Sequence, residues 1–255
     1  MLCFVRRGRK ISVLLDDPPI WRKLGAEYLG SLLLAAIVIG SGIAAQRLSP
    51  HSTGLELFEN AAATGLGLFV LIATFSPVSG AHFNPIISFV DAAFGGVSWS
   101  SASSYAAAQV AGCTSGAMLA NLMFSRAAIS LSTDHRATAA HELSEVVATA
   151  GLVLVVFALA GANRSSLAPA AVGAYIASAY FFTSSTSFAN PAIVIGRMFS
   201  NTFAGIAPQS ASLFIAAEVA GGVVGFGCVK ILYPELSARD ATRVSDRSAR
   251  GDVPL

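Results

Sequence analysis

Apolar stretches of about 20 residues recur along this chain of 255 residues, and each could cross a hydrocarbon core about 30 Å thick as a helix. Charged residues make up only 12% of the chain, and more than half of them lie near its ends: residues 1–23 carry eight and residues 234–255 carry another eight. The other 14 charges cannot cover the surface of a soluble domain of 210 residues. The sequence therefore predicts a polytopic membrane protein.

Six spanning helices are predicted from these stretches. Their approximate bounds are 24–46, 57–78, 101–124, 143–161, 167–184 and 208–232. Both termini then lie on one side, which holds twelve Lys and Arg residues against three on the other, with Arg197 assigned to neither. Because cytoplasmic segments carry the excess of positive charge, we expect cytoplasmic termini and a place in the inner (plasma) membrane of the cell.

Composition divides the chain into three parts. Residues 1–23 are predicted to be a basic cytoplasmic tail and residues 24–233 a membrane domain. Residues 234–255 mix Arg and Asp with Ser and Ala and contain little that could form a core. This last segment is predicted to be a disordered cytoplasmic tail.

Two further apolar segments, residues 84–93 and 190–200, are too short to span, and both begin with Asn-Pro. Asn is a preferred N-cap and Pro is favoured at the first helical position, so both segments are predicted to be half-helices. Small and polar residues precede each of them, as expected for irregular backbone. At membrane depth such backbone is tolerated only inside the protein or beside a watery cavity.

The sequence also contains an internal repeat. The two Asn-Pro pairs are 106 residues apart, and Gln109 and Glu218 occupy similar contexts 109 residues apart. Glu27 and Glu145 each lie in the first helix of a half, so the repeats cover about 24–124 and 143–232. Because each half has three spans, the second half must be inverted relative to the first. The predicted fold is an all-α membrane protein with six transmembrane helices and two re-entrant half-helices in an inverted 3+3 repeat.

Half-helices that enter from opposite faces direct the positive ends of their dipoles at one point near the midplane. The amides of Asn84 and Asn190 would lie there as hydrogen-bond donors. A conduit with donors, a positive potential and apolar walls suits small neutral hydroxylated solutes and opposes cations and protons.

Residues 79–85 (Ser-Gly-Ala-His-Phe-Asn-Pro) and 187–192 (Ser-Phe-Ala-Asn-Pro-Ala) resemble the two signature loops of the major intrinsic proteins, the aquaporins and aquaglyceroporins. The resemblance covers residues 24–232. It implies that the membrane domain is a channel without cofactors and that the protein is a homotetramer with a pore in each protomer. The resemblance places the pore constriction at Asn84, Pro85, Ile86, Asn190, Pro191 and Ala192.

Two residues depart from the family pattern. Ile86 replaces the usual Ala in the first signature, and Ile193 replaces the Arg that usually follows the second Asn-Pro-Ala and contributes to the outer selectivity filter. Arg197 lies one helical turn further on, and either points toward the pore or serves the vestibule.

The resemblance assigns the remaining filter positions by their spacing from the signatures. They are Thr64 on the second span and Ser187 in the second loop. On the fifth span, counting forward from Gly173 selects Tyr180, whereas counting back from Asn190 selects Ser178. We favour Tyr180. Such a filter is expected to be wider and less polar than that of a strict water channel.

A wide filter with an aliphatic residue in place of Arg resembles a bacterial subgroup of aquaglyceroporins linked to arsenic resistance. At neutral pH trivalent arsenic is an uncharged trihydroxy species shaped rather like a small polyol. The resemblance therefore implies facilitated diffusion of arsenite and related metalloid hydroxides, glycerol and some water. A water-selective aquaporin is the alternative.

Five polar residues are expected to brace the loops. The carboxylates of Glu27 and Glu145 are expected to accept backbone N–H groups from the re-entrant loops rather than to form a proton relay. His82 is interpreted as a brace of the first loop rather than a pH-sensing pore residue. Gln109 and Glu218 are expected to hold loops at equivalent places in the two halves.

Other classes of function receive less support. The predicted spans show no pairing of Ser with His or Lys, no Asp pair and no His pair of the kind that intramembrane hydrolysis needs, so no enzyme is expected. Scattered Cys3, Cys113 and Cys228 suggest neither a disulfide framework nor a metal site, and no nucleic-acid partner is expected. A secondary active transporter is another alternative, because inverted repeats with broken helices occur in that class too. A scaffolding membrane protein with a closed pore is a further, weaker alternative.

Overall fold

The structure is a computed structural model and describes residues 18–234. Residues 1–17 of the predicted N-terminal tail, and the predicted C-terminal tail from residue 235 onward, lie outside the described residues.

The described residues form eight α-helices and one 3₁₀ turn, with no strand among them. The helices are α1 (Ile20–Leu48), α2 (Thr53–Ser79), α3 (Pro85–Ala93), α4 (Trp99–Met123), α5 (Ala139–Gly161), α6 (Ala168–Phe182), α7 (Pro191–Arg197) and α8 (Pro208–Leu232), with the 3₁₀ turn Ser165–Leu167 before α6. Long helices α1, α2, α4, α5, α6 and α8 are the six predicted spans, and short helices α3 and α7 are the two half-helices. The predicted all-α class is confirmed.

Five stretches of the described chain combine the length and hydropathy of a membrane span: α1, α2, α5, α8, and α6 with its preceding 3₁₀ turn. Helix α4 is also 25 residues long, but its many Ser and Ala residues make it less apolar. It packs against α1, α3 and α7, so much of it faces protein.

Half-helix α7 is shorter than the predicted 190–200. It ends at Arg197 because the next carbonyls bond to other segments instead of continuing the helix. Ser132 N–H donates to the carbonyl of Met198 at 2.9 Å, and Asn121 Nδ2 donates to that of Phe199 at 2.9 Å. The last turn of α4 and the connection between α4 and α5 therefore bind the carbonyls that follow the second half-helix.

The helices pack as two similar halves. In the first half α1 packs against α2 and α4, and in the second α5 packs against α6 and α8. Helix α2 meets α6 across the junction, while α3 and α7 each contact α4 and α8. The half-helices are thus enclosed by both halves.

Close contact between α5 and α8 depends on Gly221. A Cβ at this position would lie 2.9 Å from the Cβ of Thr149 and 2.5 Å from the carbonyl oxygen of Val146, closer than side-chain atoms pack. Gly227, two turns further along α8, has nothing near enough to obstruct a Cβ. Small residues at such crossings allow helix backbones to approach each other in a membrane.

We expect Gly221→Ala to lower the midpoint of thermal unfolding in detergent, because overpacking costs about 1–3 kcal/mol. Gly227→Ala is the matched control on the same helix, and helix propensity alone leaves it neutral or slightly stabilising, by up to about 1 kcal/mol. Equal midpoints for the two variants would contradict the packing argument.

Candidate functional site

A cavity of about 370 Å³ runs between the two halves. Asn84 and Asn190 both line it. Asp91, near the end of α3, and Arg197, at the end of α7, line it as well. Because the half-helices point in opposite directions, these two residues lie toward opposite ends. The cavity therefore passes both Asn-Pro loops.

The two asparagines join the loops by reciprocal hydrogen bonds. Asn84 Nδ2 donates to the carbonyl of Ala189 at 2.7 Å, and Asn190 Nδ2 donates to that of Phe83 at 2.8 Å. Each side-chain oxygen caps its own helix: Asn84 Oδ1 accepts from the N–H of Ile86 at 2.9 Å, and Asn190 Oδ1 accepts from the first turn of α7. Because each Nδ2 carries two hydrogens, a second donor remains on each asparagine.

The remaining residues of the predicted constriction are buried beside the asparagines. Pro85 and Pro191 begin the two half-helices, and Ala192 follows in α7. Ile86, which stands where Ala is usual, does not line the cavity; a Cβ at Gly222 of α8 would lie 2.7 Å from its Cγ2. The absence of a side chain at Gly222 thus makes room for the larger Ile86.

Both loops use the same unusual backbone. Ala81 and Phe83 have φ values of 54° and 50°, and Ser187 and Ala189 have values of 50° and 47°. These residues stand three and one positions before the asparagine of each loop. Left-handed non-glycine residues cost of order 1–3 kcal/mol each, so surrounding contacts must hold them in place.

In the first half, the buried carboxylate of Glu27 provides those contacts. It accepts from the N–H groups of His82 at 3.0 Å and Phe83 at 2.7 Å. Ser79 Oγ and Gln109 Nε2 donate to it as well, at 2.6 and 2.7 Å. Its two oxygens are thus committed to four donors.

Glu145 has the equivalent place in the second half. It accepts from the N–H of Phe188 at 2.9 Å and of Ala189 at 2.7 Å. Glu218 accepts from the N–H of Asn190 at 2.8 Å, so the counterpart of Gln109 contacts the loop backbone directly.

His82 contacts both protein and cavity. Its Nδ1 lies 3.1 Å from Ser88 Oγ, its ring meets Tyr105 edge-on, and it lines the cavity. Its Nε2 lies 3.8 Å from Asp91 Oδ2, a partner that sequence reasoning missed. Ser88 and Asp91 are three residues apart on α3 and share a helical face, which is the signal that could have found this partner.

All four residues assigned to the outer filter, Thr64, Tyr180, Ser187 and Ile193, line the cavity and are buried. Thr64 Oγ1 and the Tyr180 hydroxyl lie 3.2 Å apart. Ser178 is exposed and donates to the Tyr175 carbonyl, so of these two candidates Tyr180 is the one that lines the cavity.

Arg197 lies in the wall of the cavity and is only 2% exposed. Its Nε donates to the carbonyl of Ala204. Its Cζ lies 3.4 Å from the centroid of the Phe188 ring, so the guanidinium stacks on the aromatic face. Arg197 thus borders the cavity, and its part in the outer filter stays a prediction. The stacking partner Phe188 was missed, although it stands in the signature two residues before Asn190.

The comparisons with known proteins agree with this arrangement of two opposed helix starts beside one cavity. The family model described as "Major intrinsic protein" matches residues 15–189. The chain belongs to the major intrinsic protein family. It is therefore an integral multi-pass membrane protein and a channel of the aquaporin and aquaglyceroporin type, not an enzyme.

Individual relatives agree with this assignment. The chain is 44% identical over 211 residues to Aquaglyceroporin AqpS of Rhizobium meliloti (strain 1021), covering 83% of this chain and 90% of that protein. It is 28% identical over 250 residues to Aquaporin NIP3-1 of Oryza sativa subsp. japonica, covering 95% and 77%. The solved structure of the aquaglyceroporin from Plasmodium falciparum, 20% identical, matches the fold with a TM-score of 0.65 over 86% of this chain and all of that one.

We expect Glu145→Gln to lower both stability and water permeability, because an amide can no longer accept two N–H groups through two oxygens. An unsatisfied buried donor costs about 1–3 kcal/mol. Thermal unfolding in detergent and stopped-flow swelling of proteoliposomes measure the two effects. Glu142→Gln, on the first turn of the same helix, is the matched control and should match the wild type. Wild-type behaviour of both variants would show that the loop does not depend on this carboxylate.

Proposed function

We propose that the channel mediates facilitated diffusion of arsenite and related metalloid hydroxides, glycerol and some water. The observation that carries the proposal is Ile193, a buried aliphatic side chain on the cavity wall directly after the second Asn-Pro-Ala.

The filter has one polar side and one apolar side. The hydroxyls of Thr64 and Tyr180 supply paired donors and acceptors, whereas Ile193 supplies only hydrocarbon. A small polyol presents hydroxyls on one face and carbon on the other, and such a wall fits it better than a fully polar ring. Trihydroxy arsenic is neutral and of similar shape, so one pore suits both solutes.

Selection against cations rests on the loops. The starts of α3 and α7 place two positive helix ends close together, and each asparagine offers a donor toward the cavity. Neutral oxygen-bearing solutes accept these donors, whereas cations meet an unfavourable potential. In this scheme Asn84 and Asn190 line the central constriction, and Pro85, Ile86, Pro191 and Ala192 form the half-helix starts behind them. The outer filter is formed by Thr64, Tyr180, Ser187, Ile193 and Arg197.

The relatives support the substrate class. The Rhizobium meliloti relative carries the name aquaglyceroporin, and it aligns with most of this chain. We extend the likeness to the expected setting: a homotetramer in the inner membrane with both termini cytoplasmic, and a channel domain at 24–233 between the two tails. Apolar residues exposed on α2, such as Leu66, Phe69 and Val70, are available to lipid or neighbouring protomers.

Arg197 is the specific observation that favours a second candidate, a water-selective aquaporin. Its guanidinium borders the cavity and could narrow it despite Ile193. A secondary active transporter is distinguished by uphill solute accumulation in an ion gradient, which a channel cannot produce.

We expect Ile193→Arg to abolish most arsenite and glycerol flux while water flux remains, because a long cation would narrow the pore. Stopped-flow light scattering of proteoliposomes measures water, glycerol and arsenite permeability, normalised to the protein incorporated. Ile193→Leu is the matched control, since it keeps volume and hydrophobicity.

Two results would overturn the proposal. Wild-type protein that passes only water would make the protein a water channel. Metalloid flux unchanged in Ile193→Arg, with the variant present in the vesicles, would show that this position does not select the solute.

A further inference from the structure

Two arginines from different parts of the chain bind three consecutive carbonyl groups. Arg136, in the connection between α4 and α5, donates from Nη2 to Phe203 at 2.8 Å and from Nε to Gly205 at 2.7 Å. Arg197 donates from Nε to the carbonyl between them, that of Ala204. The segment 203–205 therefore connects the two side chains.

Arg136 is itself fixed at several points. Its Nη2 lies 2.6 Å from Asp134 Oδ2, and its backbone N–H donates to Ser210 Oγ at 3.1 Å, at the start of α8. His141 Nδ1, in the first turn of α5, lies 2.5 Å from its carbonyl oxygen. Contacts with α5 and α8 give the guanidinium a defined place from which to hold the segment.

The two guanidinium groups also share an aromatic neighbour. The Cζ of Arg136 lies 5.7 Å from the centroid of the Phe188 ring, and that of Arg197 lies 3.4 Å from it. Asp134 neutralises Arg136, whereas among residues 18–234 no carboxylate forms a salt bridge with Arg197. Within residues 18–234, Arg197 is therefore a cation beside the cavity without a salt bridge, whereas Arg136 has Asp134 as its partner.

In the described part of the chain, the Nη groups of Arg197 form no hydrogen bond. Nε is therefore the one atom of this side chain that a hydrogen bond anchors there. The position of a long cationic side chain with one such anchor depends on the position of the acceptor. Arg136 binds the carbonyls on both sides of that acceptor, Ala204.

We propose that Arg136 is a positioning residue of the outer filter: it holds segment 203–205 so that Arg197 stays against the cavity wall and leaves the pore open. This inference rests on the assignment of Arg197 to the filter. Once Arg136 is removed, the Ala204 carbonyl moves, and the guanidinium of Arg197 swings across the pore.

The test is a double-mutant cycle on permeability in proteoliposomes, with Arg136→Gln, Arg197→Gln and the double variant. We expect Arg136→Gln to lower glycerol permeability relative to water by at least about threefold, as residues in one hydrogen-bond network are commonly coupled by that much or more. In the Arg197→Gln background, Arg136→Gln should change neither permeability further, because no cation remains to obstruct the pore.

Two variants and one control separate positioning from general damage. Arg136→Lys keeps the charge but loses the two-pronged donor geometry, so it should behave like Arg136→Gln. Asp134→Asn should show a weaker effect in the same direction. Arg126→Gln removes an exposed arginine from the same connection and should match the wild type. Misfolding of Arg136→Gln would lower all fluxes equally in the wild-type and Arg197→Gln backgrounds. It would therefore not produce the coupling between Arg136 and Arg197 that the cycle measures.

Three results would overturn the inference. The ratio of glycerol to water permeability could be that of the wild type in Arg136→Gln or in Arg136→Lys, or Arg136→Gln could lower this ratio equally with and without Arg197. If the wild type passes no glycerol, the proposed substrate class fails, but coupling measured on water flux still decides the role of Arg136. Water flux reduced by Arg136→Gln only when Arg197 is present would support the positioning role.

Discussion

The backbone N–H groups of the two re-entrant loops need acceptors where the surrounding membrane offers no water, and the rest of the structure depends on meeting that need. Glu27 and Glu145 provide the acceptors from the first helix of each half. Those hydrogen bonds hold left-handed residues such as Phe83 and Ala189 in place, and this backbone aims each asparagine at the opposite loop. The position of the helix ends, and with it the potential in the cavity, follows from two buried carboxylates.

The six long helices and the two half-helix starts could be predicted from the sequence, because span length and Asn-Pro pairs are local signals. Both half-helices begin at the predicted proline, since capping by Asn84 and Asn190 involves only the next few residues. The predicted end of α7 lies too late in the chain. The carbonyls after α7 bind the connection after α4 and Asn121, and Asn121 is 78 residues from its partner Phe199. Such long-range hydrogen bonds leave no mark on local composition.

The site shows the same division. Signature spacing selected Thr64 and Ser187, which both line the cavity, and for α6 it left two candidates, of which Tyr180 lines the cavity. Arg136 was not singled out, because its partners at 203–205 are 67 and 69 residues away and its surroundings have no regular periodicity. Asp91 was passed over because its relation to His82 appears only once α3 is in place.

The reciprocal bonds of the two asparagines also bear on how the protein is made. During synthesis the first half emerges alone, and Asn84 Nδ2 then lacks the Ala189 carbonyl, which is 105 residues away in the chain. The first loop cannot reach its final arrangement until α7 has been inserted from the other face. Assembly of the constriction is therefore a late event in biogenesis. A chain truncated after α4 would lack the second-loop partners of Asn84 Nδ2 and of the Phe83 carbonyl.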